Sequence, residues 1–558
     1  MYSNKENVNI LTSLLVKFGI RHAVVCPGSR NSPIVHNLYE CPDIICYPVT
    51  DERSAGFYAI GIADITNSPV VLCVTSGSAL LDTAPAVAEA FYRHVPLVVV
   101  SADRPEQWIG QLDGQTMQQV GALNSVVKKS ITISEPSNDE QRWYCNRLVN
   151  EALICLTNNG GGPVHINVSL TEPLFCYDTP TLPEERKIKL LRSDCNDSGI
   201  LVEKIKKASR PLIVIGQMKE TVFESLDNKI EGIDKQIPVL YEKTAFDSWR
   251  VCHFEEVLTL ADDDELMPDF IIYIGDVLIS KRLKLFLRSA KNAETWTVRS
   301  DDEVHDTFMN LTGVVQTDSS KLVSDLYDMV VSGSLMSAEE SFVERWHDLL
   351  NSADKYCDEF VPAYSEMAVV KYFEEQMTDF DIPYHVCYAN SSVIRLAEIY
   401  ACHYVWCNRG INGIDGCLST AVGMSAATDD MIFCLIGDLS FFYDQNALWN
   451  NKLNGNIRIV LINNGEGAIF EKFEELKNTS ARDAVIGKHS ISAQGICTQN
   501  DCGYIKATNM DEMQLGIVSM MTMETKRPVV LEVFTDGETD AKTVADYYSS
   551  FKDALKKY

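Results

Sequence analysis

The 558-residue chain has no run of about 18 apolar residues, the length a membrane-spanning helix requires. Its opening, MYSNKENVN, is too polar for a secretory signal, so a cytoplasmic protein without membrane insertion is expected. No Cys-x-x-Cys pair occurs among the 17 cysteines, which argues against a structural zinc or a dithiol redox centre. Cys26, Cys46, Cys73 and Cys434 instead fall inside apolar runs, where a reduced thiol behaves as a small hydrophobe. Positive charge is in deficit: the net charge of −29 repels nucleic acid and anionic membranes. Anionic small molecules can then bind only where Arg and Lys are locally concentrated. The middle third also lacks a Gly-x-Gly-x-x-Gly fingerprint for a dinucleotide.

What is present is a succession of βα units. At roughly 150 to 200 residues per domain the length implies about three domains. Residues 22–26 read as a strand ending in PGSRNSP and residues 44–49 as another ending in DERSAG, followed by PVVLCVT and PLVVVSADRP. A Pro- and charge-rich stretch, DTPTLPEERK, marks a boundary near residue 185. The middle strands are RPLIVIG, IPVLYE, FIIYIGD and ETWTVRS, ending before a charged helical stretch near SAEESFVERWHDLL. From about residue 360 the pattern resumes. Apolar strands alternating with helices imply an α/β fold of three doubly wound parallel-sheet domains, over residues 1–185, 186–355 and 356–558.

The stretch MIFCLIGDLSFFYDQNALWNNKLNGNIRIVLINN, residues 431–464, carries the most chemistry. It reads as a strand ending at Gly437-Asp438, a crossover helix, and a buried strand ending at Asn463-Asn464. A right-handed crossover makes the strands parallel and brings Asp438 and Asn464 out together at the carboxyl edge, where open α/β sheets bind ligands. A few hard oxygen ligands suit Mg²⁺, which completes its octahedron with water and phosphate oxygens. Singly, Gly-Asp and Asn-Asn are ordinary turn chemistry. Together on this frame they resemble the thiamine-diphosphate signature.

That resemblance implies that Asp438 and Asn464 bind Mg²⁺, or Mn²⁺ in its place, through their side chains, with the backbone carbonyl of Glu466 as a third oxygen. Gly437, Leu439 and Ser440 would line the cofactor; the family usually has Gly where this chain has Leu439. It also implies a pyrimidine-binding, a central and a diphosphate-binding domain in that order. Family enzymes promote loss of the cofactor's C2 proton with a Glu that hydrogen-bonds the aminopyrimidine. Glu52, opening the helix ERSAGFYAIGIAD after CYPVTD, is the candidate by position. Without the motif it would be an N-terminal helix carboxylate or a partner for Arg53. Ile414 in RGINGIDG sits where the family places an apolar residue beneath the cofactor.

More specifically, CPGSRNSP, DERSAG, TSGSA, ADRP, GDVLISKRLKLF, NSSVIR, NRGINGIDG and GDLS together resemble the 2-succinyl-5-enolpyruvyl-6-hydroxy-3-cyclohexene-1-carboxylate synthases, over essentially the whole chain. The implied activity decarboxylates 2-oxoglutarate on thiamine diphosphate and adds the succinyl semialdehyde carbanion equivalent to isochorismate, a 1,4-addition in menaquinone biosynthesis. Both substrates are dianions, and the implied cations are Arg30, Arg104, Lys281, Arg282, Arg395 and Arg409. Arg suits carboxylates because its planar fork engages both oxygens. Gln115 in GQTMQQ matches a family amide with a catalytic and substrate-binding place, Ser391 a cofactor contact and Phe470 a substrate contact. The resemblance further implies a site shared between subunits of a homodimer, commonly paired into a homotetramer. Two other readings stand beside it: another 2-oxo acid decarboxylase or acetolactate synthase-like enzyme on the same cofactor, and a catalytically silent cofactor-binding sensor.

Overall fold

The computed structural model describes residues 1–190, 198–220, 226–245, 252–260, 264–334, 338–450 and 452–555. Among them 17 strands form three sheets, and every strand pairing is parallel. The first sheet holds β1 (His22–Val25), β2 (Ile45–Pro48), β3 (Val70–Val74), β4 (Leu97–Asp103), β5 (Lys129–Ile133) and β6 (Val164–Ser169), in the order β2-β1-β3-β4-β6-β5. The middle sheet holds β7 (Pro211–Ile215), β8 (Val239–Tyr241), β9 (Phe270–Ile274), β10 (Glu294–Arg299) and β11 (Leu311–Gln316), in the order β11-β10-β9-β7-β8. The third holds β12 (Tyr384–Tyr388), β13 (Val405–Trp406), β14 (Met431–Gly437), β15 (Ile457–Asn463), β16 (Gly503–Ala507) and β17 (Val529–Phe534), in the order β13-β12-β14-β15-β17-β16.

Burial explains which strands were readable. β3, β4 and β15 are buried at every residue, because helices cover both faces of a parallel sheet, and they read as continuous apolar runs. The edge strands β5, β11 and β16 are only partly buried, so no such run announces them. β6 is central and buried but carries His165 and Asn167, which break its apolar signal. Cys26, Cys73 and Cys434 are buried free thiols as expected, whereas Cys46 is only half-buried on the edge strand β2. The long helix Glu340–Glu359 follows the middle sheet and buries Trp346 and Tyr356, whose hydroxyl donates to the Tyr547 carbonyl at 2.6 Å.

First and third domains of one chain pack directly through the helices Glu52–Thr66 and Cys417–Ala427. Glycine permits the approach. A Cβ on Gly61 would lie 2.0 Å from the Thr420 carbonyl oxygen, and one on Gly423 would lie 2.2 Å from that of Tyr58. The contact is tied by Glu89, whose oxygens accept from Gly410 N–H at 2.9 Å and Ile411 N–H at 2.8 Å.

Candidate active site

β14 and β15 are neighbours, with Gly437 in register with Ile462, so Asp438 and Asn464 emerge side by side. Asp438 opens the short helix Asp438–Tyr443 and is 3% exposed. Its Oδ1 accepts from Leu439 N–H at 2.6 Å and its Oδ2 from Gly465 N–H at 2.7 Å, so the carboxylate straddles the turn that follows Asn464. That turn needs glycine: Gly465 has φ +78°, and a Cβ there would lie 2.9 Å from the His489 carbonyl oxygen. Asn464 donates through Nδ2 to Asp540 Oδ2 at 3.0 Å, which fixes which end of the amide is its oxygen; Oδ1 accepts from Glu466 N–H at 3.3 Å. The Glu466 carbonyl accepts from Ala468 N–H at 3.0 Å and belongs to the same turn.

Negative charge accumulates behind these oxygens. Asp540 Oδ1 accepts from the backbone N–H of Glu366, a carboxyl that burial, then Asp540 and Asp438, push up to about 8. Burial also raises Asp438, against the two backbone N–H groups and nearby His489, and raises Asp540. A divalent cation relieves this surplus, and an acidic oxygen, an amide oxygen and a carbonyl are hard donors. The residues therefore fit Mg²⁺.

The other predicted cofactor contacts lie along the same sheet edge. Ser391 follows β12 in an uncommon backbone conformation, φ +86° and ψ −127°, as the cap of helix Ser392–Tyr400. Ser440 donates its hydroxyl to the Ile414 carbonyl, joining the β14 turn to the NRGINGIDG loop, and the Ile414 side chain remains 39% exposed. Leu439 is half-buried beside Gly487, and Phe470 is partly exposed on the turn Ala468–Phe470.

The cations divide by what they already hold. Arg409, 6% exposed, donates from Nη1 to Asn390 Oδ1 at 2.9 Å, while its buried Nε has no protein partner. Asn390 is oriented for this by donating to the carbonyls of Asn408 and Gly413 at 2.6 and 2.7 Å. Arg395 reaches the Ser391 carbonyl at 3.1 Å; enclosure and then the like charge of Arg409 lower its guanidinium from the usual value. Lys281 is exposed. Arg282 is already paired with Glu255 at 2.5 Å and lies over the Tyr548 ring.

Two lysines that sequence reasoning missed join this cluster. Burial lowers Lys284, as do Arg409, Arg288 and Arg395, against the attraction of Glu242; burial, Arg395 and Lys281 lower Lys472. Lys284 stands three residues after Lys281 on one helix, a spacing visible in ISKRLKLF. Asp540 and Glu366 were also missed, and no local pattern marks them.

The first-domain residues form a second group. Asp51 caps helix Glu52–Thr66 by accepting from Arg53 and Ser54 N–H, leaving the Glu52 carboxyl at the helix start. Burial raises Glu52, with Asp82 and Asp51 adding to the rise and its own backbone N–H opposing it. Arg53 turns instead to the third domain, donating to the Tyr443 carbonyl at 2.6 Å and stacking on the Tyr443 ring. Arg30, 7% exposed, contacts Glu172 at 2.9 Å and the Leu170 carbonyl at 3.3 Å. Arg104 donates to the Gly114 carbonyl at 2.9 Å. Both bear on buried Asp103. Gln115 is exposed, at φ +55°, its backbone against Gly77; the buried amide nearby is Gln119, which accepts from Gly77 N–H at 2.7 Å. The groups acting on Glu52 are thus first-domain groups, and those acting on Asp438 are third-domain groups.

Residues 6–124 match the thiamine pyrophosphate enzyme N-terminal TPP binding domain. Proteins called 2-succinyl-5-enolpyruvyl-6-hydroxy-3-cyclohexene-1-carboxylate synthase resemble the chain over nearly its full length. That of Bacteroides fragilis is 39% identical over 99% of this chain and 100% of its own. Those of Phocaeicola vulgatus and Porphyromonas gingivalis are 37% and 34% identical, over 99% and 98% of this chain and 99% and 97% of theirs. With such identity along almost every residue, the chain belongs to the 2-succinyl-5-enolpyruvyl-6-hydroxy-3-cyclohexene-1-carboxylate synthase family of thiamine-diphosphate enzymes.

Proposed function

We propose that this protein joins 2-oxoglutarate and isochorismate with loss of CO₂, forming 2-succinyl-5-enolpyruvyl-6-hydroxy-3-cyclohexene-1-carboxylate for menaquinone biosynthesis in the cytoplasm. The observation that carries the reading is one sheet edge with two functions. After β14 and β15 come the oxygens of Asp438, Asn464 and Glu466, and after β12 and β13 come Arg395 and Arg409. A metal-diphosphate site beside a cationic pocket suits dicarboxylates better than pyruvate, which brings one charge.

When bound, thiamine diphosphate supplies a C2 nucleophile and the electron sink for decarboxylation. Asp438, Asn464 and the Glu466 carbonyl would hold the metal that accompanies its diphosphate. Ile414 and Leu439 present apolar surface to its middle. Glu52, whose carboxyl burial raises above its usual value, would be the group that hydrogen-bonds the aminopyrimidine and takes or gives its proton. Arg395, Arg409 and Lys281 bind carboxylates, and Arg30, Arg104 and Gln115 approach from the first domain. As membership of the family implies, the complete site would combine the first domain of one subunit with the third domain of another in a homodimer, pairing further into a homotetramer. Exposed Leu81, Trp108 and Leu112 in the first domain and Ile411 in the third support such an interface.

The test is incubation with thiamine diphosphate, Mg²⁺, 2-oxoglutarate and isochorismate, with mass detection of the product. Product that disappears on chelation and returns with Mg²⁺ or Mn²⁺ supports the reading. Cofactor binding without product from this substrate pair refutes it.

A further inference from the structure

Four of the cluster's cations stand on three separate segments. Lys281 and Lys284 are on the middle-domain helix Lys281–Ser289, Arg395 on the third-domain helix Ser392–Tyr400, and Arg409 in the loop after β13. The dipeptide Glu242-Lys243, leaving the carboxyl end of β8, is bonded to all three. Glu242 is 0% exposed, and its Oε2 and Oε1 accept from the backbone N–H groups of Ile279 and Ser280, each at 2.7 Å. Ser280 in turn caps the helix, its Oγ accepting from Leu283 N–H at 2.9 Å. Both Glu242 oxygens therefore fix the turn immediately ahead of Lys281.

The next residue reaches the other segments. Lys243 N–H donates to the Glu398 carboxylate at 3.1 and 3.0 Å, one turn along the helix from Arg395. The Lys243 carbonyl accepts from Val405 N–H at 3.0 Å, at the start of the strand that runs on to Arg409. Burying a carboxylate is costly unless its oxygens are paired, and an apolar side chain at 242 would fill the space without orienting anything. The charges that offset Glu242 after its two backbone donors are Arg409 and Lys284, both members of the cluster.

We propose that Glu242 is a positioning residue that sets the spacing between Lys281 and Lys284 on one side and Arg395 and Arg409 on the other, so that a dianionic substrate is gripped across the boundary between the middle and third domains. This rests on the reading of the cluster as the substrate site. Glu242 does not touch substrate; its carboxylate acts through the turn ahead of Lys281, and the backbone of adjoining Lys243 ties that turn to the other two segments.

The test compares wild-type holoenzyme with Glu242→Gln and Glu242→Ala. Glutamine keeps the volume but offers one acceptor oxygen, turning an N–H group toward a second N–H. The expected result is a KM for at least one dianionic substrate raised by about tenfold, exceeding any loss of kcat, with cofactor affinity by calorimetry unchanged. Backbone hydrogen exchange should quicken in residues 279–284 and 392–400 and stay unchanged in 431–440. Should Glu242→Ala fail to fold, Ser280→Ala loosens the same turn and should shift KM in the same direction by less. Unchanged exchange at 279–284, unchanged KM for both substrates, or equal loss of cofactor affinity would each overturn the proposal. If wild-type enzyme makes no product from 2-oxoglutarate and isochorismate, the functional reading fails on its own. The positioning claim is then decided by the exchange pattern together with calorimetric binding of glutarate, which it requires to weaken in both Glu242 variants.

Discussion

The first and third sheets trace the same strand order, β1 to β6 corresponding in sequence to β12 to β17, and they share a detail that the strand order does not demand. In the first sheet Asn167 on β6, in register with Ser101, donates to Asp103 on β4 at 2.8 Å. In the third, Glu532 on β17, in register with Leu461, accepts from Asn463 on β15 at 2.8 Å. The two pairs occupy equivalent places with carboxylate and amide exchanged. The exchange changes what each sheet edge can hold. Asp103 puts a buried negative charge at its strand end, where Arg30 and Arg104 gather. Asn463 leaves its strand end neutral and accepts from Gly465 N–H, so the charge at that edge comes from Asp438. One frame yields an edge that gathers guanidinium groups and an edge that presents hard oxygen donors.

The largest expected effect divides the sheets most sharply. Asp438→Ala should abolish metal-dependent cofactor binding in calorimetry, because the charged oxygen donor is lost. Glu52→Gln in the first domain should leave that binding near normal while the rate falls roughly 10²-fold, the scale of a positioned acid-base group. Mixing the two inactive variants under subunit exchange should restore part of the activity, since one of the two shared sites in a mixed dimer is intact. Mixed dimers confirmed by mass spectrometry yet inactive would end the idea that the halves come from different chains.

A second comparison concerns stability. Glu532 also accepts from Ala493 N–H and from the partly exposed hydroxyls of Ser492 and Tyr504, so Glu532→Ala strands the buried donors of Asn463 and Ala493 and should cost about 2–6 kcal/mol, at about 1–3 for each. Asn167→Ala takes a donor from Asp103 and the acceptor from the buried Ser101 hydroxyl and Gln119 amide, and should cost a comparable amount, about 2–6 kcal/mol. Urea midpoints showing one variant near wild type and the other strongly destabilised would break the equivalence of the pairs.

The smallest effects are in pH dependence, where two buried histidines act in opposite directions. Burial lowers His165 on β6 from 6.5 to about 4, so it stays neutral while the unfolded chain takes up a proton; its share of stability is full above 6.5 and declines between 6.5 and 4. For His403 burial is outweighed by Glu374 at 2.9 Å, which raises it. Its share is full below 6.5 and is lost as pH rises through its folded value. His165→Gln should flatten the acid side of the stability profile and His403→Gln the alkaline side. Identical profiles for both variants would contradict the opposed shifts.

The closely packed helices offer a control for all of these. Gly61→Ala and Gly423→Ala should destabilise the whole chain with no selective effect on cofactor or substrate, because each Cβ meets backbone rather than a movable side chain.

The sequence by itself determined the fold class, the family and the side-by-side placement of Asp438 and Asn464. These depend on local order: apolar runs alternate with helices, and Gly437-Asp438 and Asn463-Asn464 end adjacent strands of one crossover unit. The partly buried strands β5, β11 and β16 escaped because polar residues or glycine interrupt them, so no continuous apolar run announces them. Tertiary structure alone decided which cations remain available. Nothing in ISKRL distinguishes Lys281 from Arg282, since the Glu255 and Tyr548 that engage Arg282 arrive from other segments. The same is true of Asp540 behind Asn464 and Glu242 behind the cation helices. A buried carboxylate is defined by the donors folded around it, and those donors lie dozens of residues away.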